Sequence, residues 1–236
     1  MSVFVLKLIA AFFMVVDHAK DAFPFFVNNF SKYFGRIAFP LFAFCAVQGY
    51  VHTRDFKKYI KRLIIAGIIT EVPYLIFNSI PTLNVVNLNI MFTLAMGLIA
   101  IKAYDACGKN FKGFLAVIGV AGIGELVKVD YGIFGVLLIF SFYVFKDSKW
   151  KTLLASFTIV AGKYLYRIFI LNLGFTEYPV KNWIATTIPI FLVVLYNGKK
   201  GPSLKWFFYI FYPLHLLILW LLSPYGANLI RFLNIA

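Results

Sequence analysis

Nine apolar stretches, each about as long as a helix must be to cross a bilayer, constrain this chain more than any other feature. They lie near residues 3–22, 33–51, 61–80, 88–105, 112–128, 131–146, 150–172, 182–198 and 205–223. A helix spans the hydrocarbon core with about 20 predominantly apolar residues. The pattern therefore predicts an all-α, polytopic bundle of about nine transmembrane helices, forming one domain over residues 1–236.

The composition agrees with a lipid environment. Hydrophobic residues make up 62% of the 236 residues and charged residues only 14%, whereas soluble domains carry roughly 25% charged residues. In so apolar a chain, the formal net charge of +14 indicates orientation signals and contact with anionic membrane lipids rather than with nucleic acid. No small-residue cleavage site follows the first apolar run, so we interpret that run as a retained helix. Cys45 and Cys107 do not indicate a structural disulfide.

The basic residues alternate between successive connections. Of the 23 Lys and Arg residues, 15 fall on one side of the predicted bundle and 8 on the other. Cytoplasmic connections carry the excess of Lys and Arg. The distribution predicts a cytoplasmic N-terminus and an external C-terminus for a multi-pass protein of the cell membrane.

Polar and ionisable side chains interrupt the apolar runs. Such groups are costly inside a membrane unless they face partners or water, so each is a candidate for function. The set comprises Lys7, Asp17, His18, Arg36, Glu71, Asn89, Thr93, Asp130, Tyr212 and His215. Lys7 and His18 lie close to three helical turns apart and so share one face at opposite depths, whereas Asp17 is turned by about 100° from His18.

Several of these residues also have a purely structural interpretation. Asn89 and Thr93 stand one turn apart, and such residues often hydrogen-bond a neighbouring helix. Glu71 could form a structural ion pair with Arg36 or Arg62. The two histidines in apolar runs are harder to explain by packing alone, since the chain has only 3 histidines.

Six motifs, in order from the first helix to the last, resemble the TraX family of pilin acetylases. They read LKLIAAFFMVVDHA, FGRIAFPLFAFCAVQGY, YIKRLIIAGIITEVPYL, NIMFTLAMG, VDYGIFGVLLIFSFY and FYPLHLLIL. The family is similar to the multi-pass membrane acyltransferases that use acyl-CoA. That class carries a basic residue, ten residues and a histidine on helix 1, matched here by Lys7 and His18, and a late Tyr-x-x-His, matched by Tyr212 and His215. Gln48 departs from the family pattern, which favours an acidic residue there.

The resemblance implies transfer of an acetyl group from cytoplasmic acetyl-CoA to an amine or hydroxyl, without a metal. The acceptor would be the N-terminus of a pilin-like peptide or a glycan or lipid of the cell envelope. His18 would be the general base, because histidine titrates near neutral pH. Asp17 or Glu71 would orient it. The donors available to the developing oxyanion are Arg36, Asn89, Thr93 and Tyr212.

The remaining predicted site residues bind the two substrates. The acceptor site is assigned to Asn89, Thr93, Asp130, Tyr212 and His215. The phosphates of CoA are assigned to basic residues at the inner mouth, namely Lys7, Arg54, Lys57, Lys58, Lys61 and Arg62. The same basic cluster also sets topology, and the sequence does not separate the two roles.

Two other classes of function remain open at this point. A proton-coupled carrier could use Asp17, His18, Glu71 and Asp130 as a relay, although the chain lacks the internal repeats common in carriers. A non-catalytic protein of pilus or envelope assembly would have little reason to place so many ionisable groups inside its helices.

Overall fold

The computed structural model describes residues 1–23, 31–80, 87–172 and 177–227. Within these ranges the chain forms nine helices of 13 to 23 residues. They are α1 (Val3–Ala22), α2 (Ser31–His52), α3 (Phe56–Asn78), α4 (Ile90–Ala106), α5 (Phe111–Leu126), α6 (Gly132–Val144), α7 (Lys149–Phe169), α8 (Glu177–Val194) and α9 (Lys205–Leu222). A short helical segment follows at 224–227. The prediction of an all-α fold is confirmed, and each long helix overlaps one predicted apolar run.

Across the described parts of the chain, no helix combines the length and the apolarity that crossing a membrane requires. The prediction that the nine helices each span a bilayer is therefore not confirmed by the helices themselves.

Local side chains explain where several helices begin. Five helices start after a residue whose side-chain oxygen accepts a hydrogen bond from an amide in the first turn. These N-cap residues are Ser2, Asp55, Asn89, Asn110 and Ser148. Asn89 thus precedes α4 rather than lying within it, because its carboxamide is used to cap the helix.

Helix α2 lies at the centre of the packing. It packs most extensively against α1 and also contacts α4, α6 and α8. Helix α3 packs between α4 and α9, and α9 also contacts α1. Phe39, Phe77 and Phe142 are among the largest fully buried side chains in this core. The first and last long helices therefore meet, which brings residues from opposite ends of the chain together.

A single bridge ties two connections together near the start of α4. Leu88 pairs with Val129 as an isolated β-bridge. The Leu88 amide donates to the Lys128 carbonyl at 2.9 Å, and the Asp130 amide donates to the Leu88 carbonyl at 3.1 Å. This pairing holds Asp130 beside the N-terminus of α4.

Candidate functional site

Two histidines meet where α1 packs against α9. Nδ1 of His18 lies 2.8 Å from Nε2 of His215, and the two rings stack with their centroids 5.0 Å apart. Phe77 of α3 lies edge-on to His18, 5.2 Å between centroids, and Phe211 stacks on His215 at 4.8 Å. His215 is only 6% exposed. The structure thus joins the histidines of two separate sequence motifs into one imidazole pair, the histidine pair.

The sequence did not predict this contact. The two residues are 197 positions apart, and each motif points only to residues on its own helix. The hydrogen-bonding partner of His18 Nδ1 in the structure is His215, where the sequence suggested Asp17 or Glu71. The signal that could have found it was available: two histidines in apolar runs need polar partners, and each can supply one to the other.

Glu71 and Asn89 form a second polar pair, between α3 and the start of α4. Asn89 Nδ2 donates to Glu71 Oε2 at 2.6 Å and to the Gly67 carbonyl at 2.8 Å. Its Oδ1 accepts from the Met91 amide at 3.0 Å. The fully buried Asn89 side chain is therefore committed to holding α3 and α4 together, and Glu71 pairs with an amide where the sequence suggested Arg36 or Arg62.

Thr93 lies on α4 and contacts the connection between α5 and α6, which contains Asp130. The hydroxyl of Thr93 accepts from the Tyr131 amide at 3.4 Å. Burial raises the pKa of the Asp130 carboxyl to about 6, and the positive charges of Arg36 and Lys163 partly offset that rise. The ammonium of Lys163 also lies 4.9 Å from the centre of the Tyr131 ring. Asp130 therefore lies close to positive charges contributed by α2 and α7.

Asp17 and Arg36 are held by partners of their own. Asp17 forms an ion pair with Lys20, one turn further along α1. The Asp17 carboxylate also lies directly against the backbone of Gly35, leaving no room for a Cβ atom there. Arg36 Nε donates to Asn182 Oδ1 at 3.0 Å. The structure places both predicted residues in a polar group that links α1, α2 and α8.

A cavity of about 420 Å³ leads toward the histidine pair. Its walls come from α1, α2, α3, α4 and α9 and from the segment 196–204. At one end it is lined by Met14, Phe211 and Tyr212. Met14 lies one helical turn before His18, and Phe211 one turn before His215. The cavity therefore extends to within one turn of the histidine pair.

Three basic residues line this cavity, namely Lys7, Arg62 and Lys200. Arg62 Nε is buried and lacks a hydrogen-bond partner among the described residues. Lys200 reaches the wall because the segment after α8 pairs with the start of α1, where the Phe4 amide donates to the Lys200 carbonyl at 3.1 Å. From the sequence, Lys200 was only an orientation signal, since that pairing is a long-range contact.

The other basic residues predicted to bind CoA lie elsewhere. The exposed side chains of this group belong to Arg54, Lys57, Lys58 and Lys61. None of them is among the residues that line the cavity. The structure therefore separates the predicted basic cluster into two cavity residues, Lys7 and Arg62, and four exposed ones.

The described ranges also contain side chains of the types that bind metal ions, and both cysteines. Among those residues, no group of three or more His, Cys, Asp or Glu side chains is placed to hold a metal ion. Cys45 is buried and Cys107 is exposed, and both are free.

These features define a helical protein with a largely apolar cavity that has basic residues in its wall and a pair of histidines one helical turn beyond one of its ends. The chain belongs to the TraX family: the family model described as TraX protein matches residues 2–223. This confirms the resemblance inferred from the motifs. A curated relative, the probable fimbrial assembly protein FimC, serogroup H1, of Dichelobacter nodosus, is 28% identical over 92% of this chain and 94% of its own length. No solved structure matches the chain.

Proposed function

We propose that this protein is an integral membrane acyltransferase of the cell envelope. It transfers an acetyl group from cytoplasmic acetyl-CoA to an amine or hydroxyl acceptor, with His18 as the general base. The observation that carries this proposal is the cavity, which has basic residues in its wall and extends to within one helical turn of the histidine pair.

Exposed apolar side chains support a membrane location. On α3, the side chains of Ile68, Ile69 and Val72 are 61%, 60% and 62% exposed. On α9, Trp206 and Leu222 are 64% and 66% exposed. Large exposed apolar surfaces mark contact with membranes or partners. Together with the alternation of basic connections, this supports a multi-pass protein with a cytoplasmic N-terminus.

The cavity suits the donor. CoA carries phosphates and a long, largely uncharged pantetheine arm, and Arg and Lys are the usual phosphate-binding residues. Lys7, Arg62 and Lys200 provide the positive charge of the cavity wall. The arm would occupy the apolar part of the cavity and carry the thioester toward Tyr212.

The chemistry follows from this placement. The nitrogen or oxygen of the acceptor attacks the thioester carbonyl while His18 takes the acceptor's proton. The C–S bond then breaks, and the imidazolium of His18 returns that proton to the departing thiolate of CoA. The buried hydroxyl of Tyr212, in the cavity wall, is a donor for the tetrahedral oxyanion.

The relative's name supports a role connected with pili. A protein named for fimbrial assembly matches nearly the whole chain. The acceptor is accordingly the N-terminal amine of a pilin-like peptide, or a glycan or lipid of the envelope, approached from the outer side.

Radiolabelled acetyl-CoA and the purified protein in lipid nanodiscs test the proposal. We expect wild type to release free thiol and to label an added pilin-like peptide or envelope extract. His18→Ala should lose activity by about 10²-fold or more, and Arg62→Gln should raise the KM for acetyl-CoA. Lys112→Gln, an exposed charge change on α5, is the matched control. Wild type that neither binds acyl-CoA nor releases thiol would favour a non-catalytic assembly protein, and His18-dependent uptake without thiol release would favour a carrier.

A further inference from the structure

We infer that His215 is a positioning residue that fixes the tautomer of His18 and so makes Nε2 of His18 the nitrogen that acts as the base. The catalytic part of this inference rests on the proposed function. The tautomer itself follows from two hydrogen bonds within the protein and from the ring packing around them.

The first contact sets the state of His215. Its Nδ1 lies 2.9 Å from the carbonyl oxygen of Phe211. A carbonyl oxygen can only accept a hydrogen bond, so Nδ1 of His215 carries the proton. In a neutral imidazole the other nitrogen is then an acceptor. Nε2 of His215 is therefore unprotonated.

The second contact passes this constraint to His18. Nε2 of His215 lies 2.8 Å from Nδ1 of His18. Since that nitrogen of His215 accepts, Nδ1 of His18 must donate. The proton of His18 is thus on Nδ1, and its Nε2 carries the free lone pair.

Ring packing keeps the arrangement in place. Phe211 and His215 are one turn apart on α9 and stack at an interplanar angle of 8°. The rings of His18 and His215 lie at an interplanar angle of 28°, and Phe77 lies edge-on to His18. The imidazole of His215 therefore has little freedom to exchange which nitrogen faces His18.

The arrangement also accounts for each proton during acyl transfer. Nε2 of His18 takes the acceptor's proton as the new C–N or C–O bond forms. The imidazolium keeps its Nδ1 hydrogen bond to the neutral His215, which strengthens because the donor is now charged. The same Nε2 proton then passes to the CoA thiolate as the C–S bond breaks, so His215 gains and loses none.

Nitrogen-15 NMR of the protein with labelled histidine tests the tautomer without any need for activity. The chain has 3 histidines, and His52, whose Nδ1 lies 2.8 Å from the Gln48 carbonyl, is an internal reference. We expect His18 and His215 both to carry the proton on Nδ1 in wild type. In His215→Phe, His18 should shift toward the Nε2-protonated form while His52 is unchanged. A His18 that is protonated on Nε2 in wild type, or unaffected by His215→Phe, overturns the inference.

A matched pair of variants tests the catalytic consequence. His215→Gln places an amide near the position of Nε2 and retains an acceptor for His18, whereas His215→Phe keeps the aromatic stack without an acceptor. We expect His215→Gln to keep kcat within about tenfold of wild type, and His215→Phe to lose about 10²-fold or more in kcat with the KM for acetyl-CoA unchanged. A purely packing role predicts the reverse order and would overturn the inference. If NMR shows the expected tautomer while wild type transfers no acyl group, the inference about the tautomer of His18 holds and the proposed function fails.

Discussion

Asp130 is a carboxylate whose titration the fold changes. Burial raises its pKa to about 6 from the ordinary 3.8, so the folded state favours the protonated form. The resulting contribution to stability is complete below about pH 4 and is lost as the pH rises through about 6. We expect the free energy of unfolding of Asp130→Asn, relative to that of wild type, to rise by roughly 1–3 kcal/mol from pH 4.5 to pH 7. The Tm of the variant should rise relative to that of wild type over the same range.

Thermal unfolding in one detergent at both pH values measures this difference. Using the difference between variant and wild type removes the titration of other carboxylates, which both proteins share. An offset that stays constant across the pH range would contradict the shifted titration of Asp130.

Gly35, near the start of α2, is a position where the absence of a side chain affects the packing. A Cβ there would overlap the Asp17 carboxylate, so Gly35→Ala should lower the free energy of unfolding by about 1–3 kcal/mol through overpacking. Gly122→Ala on α5 is the control, because nothing lies within 4 Å of its added Cβ, and it should stabilise slightly through helix propensity. Chemical unfolding measures both.

The double variant Gly35→Ala with Asp17→Ala tests whether overlap with the Asp17 carboxylate causes the loss of stability in Gly35→Ala. Removing the carboxylate should restore most of the stability lost in Gly35→Ala. A double variant as unstable as the sum of both single changes would mean that the overlap with Asp17 is not the source of the cost.

At the level of helices, Asn89 combines two structural roles. It caps α4 and also donates to Glu71 and to the Gly67 carbonyl. Asn110 is a matched residue that caps α5. We expect Asn110→Ala to cost about 1 kcal/mol, and Asn89→Ala about 2–4 kcal/mol, since it also removes the two hydrogen bonds that the carboxamide donates to α3.

Unfolding free energies of the two variants, measured side by side, decide the point. Equal losses would show that the link between α3 and α4 contributes nothing beyond the cap.

Helix positions were predictable from the sequence because their causes are local. Apolar runs marked the nine long helices, and the first run, 3–22, coincides with α1. Side-chain pairing was not predictable in the same way. Glu71 offered Arg36 and Arg62 as formal counter-charges, yet it pairs with Asn89 because α3 packs against α4 at that point. Spacing along one helix predicts a shared face, but it does not show which helix covers that face.

At the scale of the whole molecule, the candidate site depends on contacts between distant parts of the chain. Lys7 and His18 could be singled out on one helix, and Tyr212 and His215 on another. Their union in one site required α1 to contact α9. Lys200 reached the cavity through the pairing of the segment after α8 with the start of α1. The sequence therefore indicated the residues of the site but not the cavity that relates them.

Filling the cavity with larger side chains tests whether the acetyl-CoA donor binds there. Ala46 and Met91 both line it, so Ala46→Phe and Met91→Trp should each occupy space that the pantetheine arm would take in the proposed function. We expect each variant to raise the KM for acetyl-CoA at least about tenfold, about 1.4 kcal/mol of lost binding. Gly119→Phe is the control, because nothing lies within 4 Å of an added Cβ at that exposed position of α5.

Initial rates over a range of acetyl-CoA concentrations, with unfolding curves to verify that each variant folds, measure the effect. Two folded variants of different shape make the test independent of how either one packs. An unchanged KM in both would place the donor outside this cavity. A raised KM with kcat preserved would mean that the filled cavity weakens donor binding while the histidine pair still turns over what does bind.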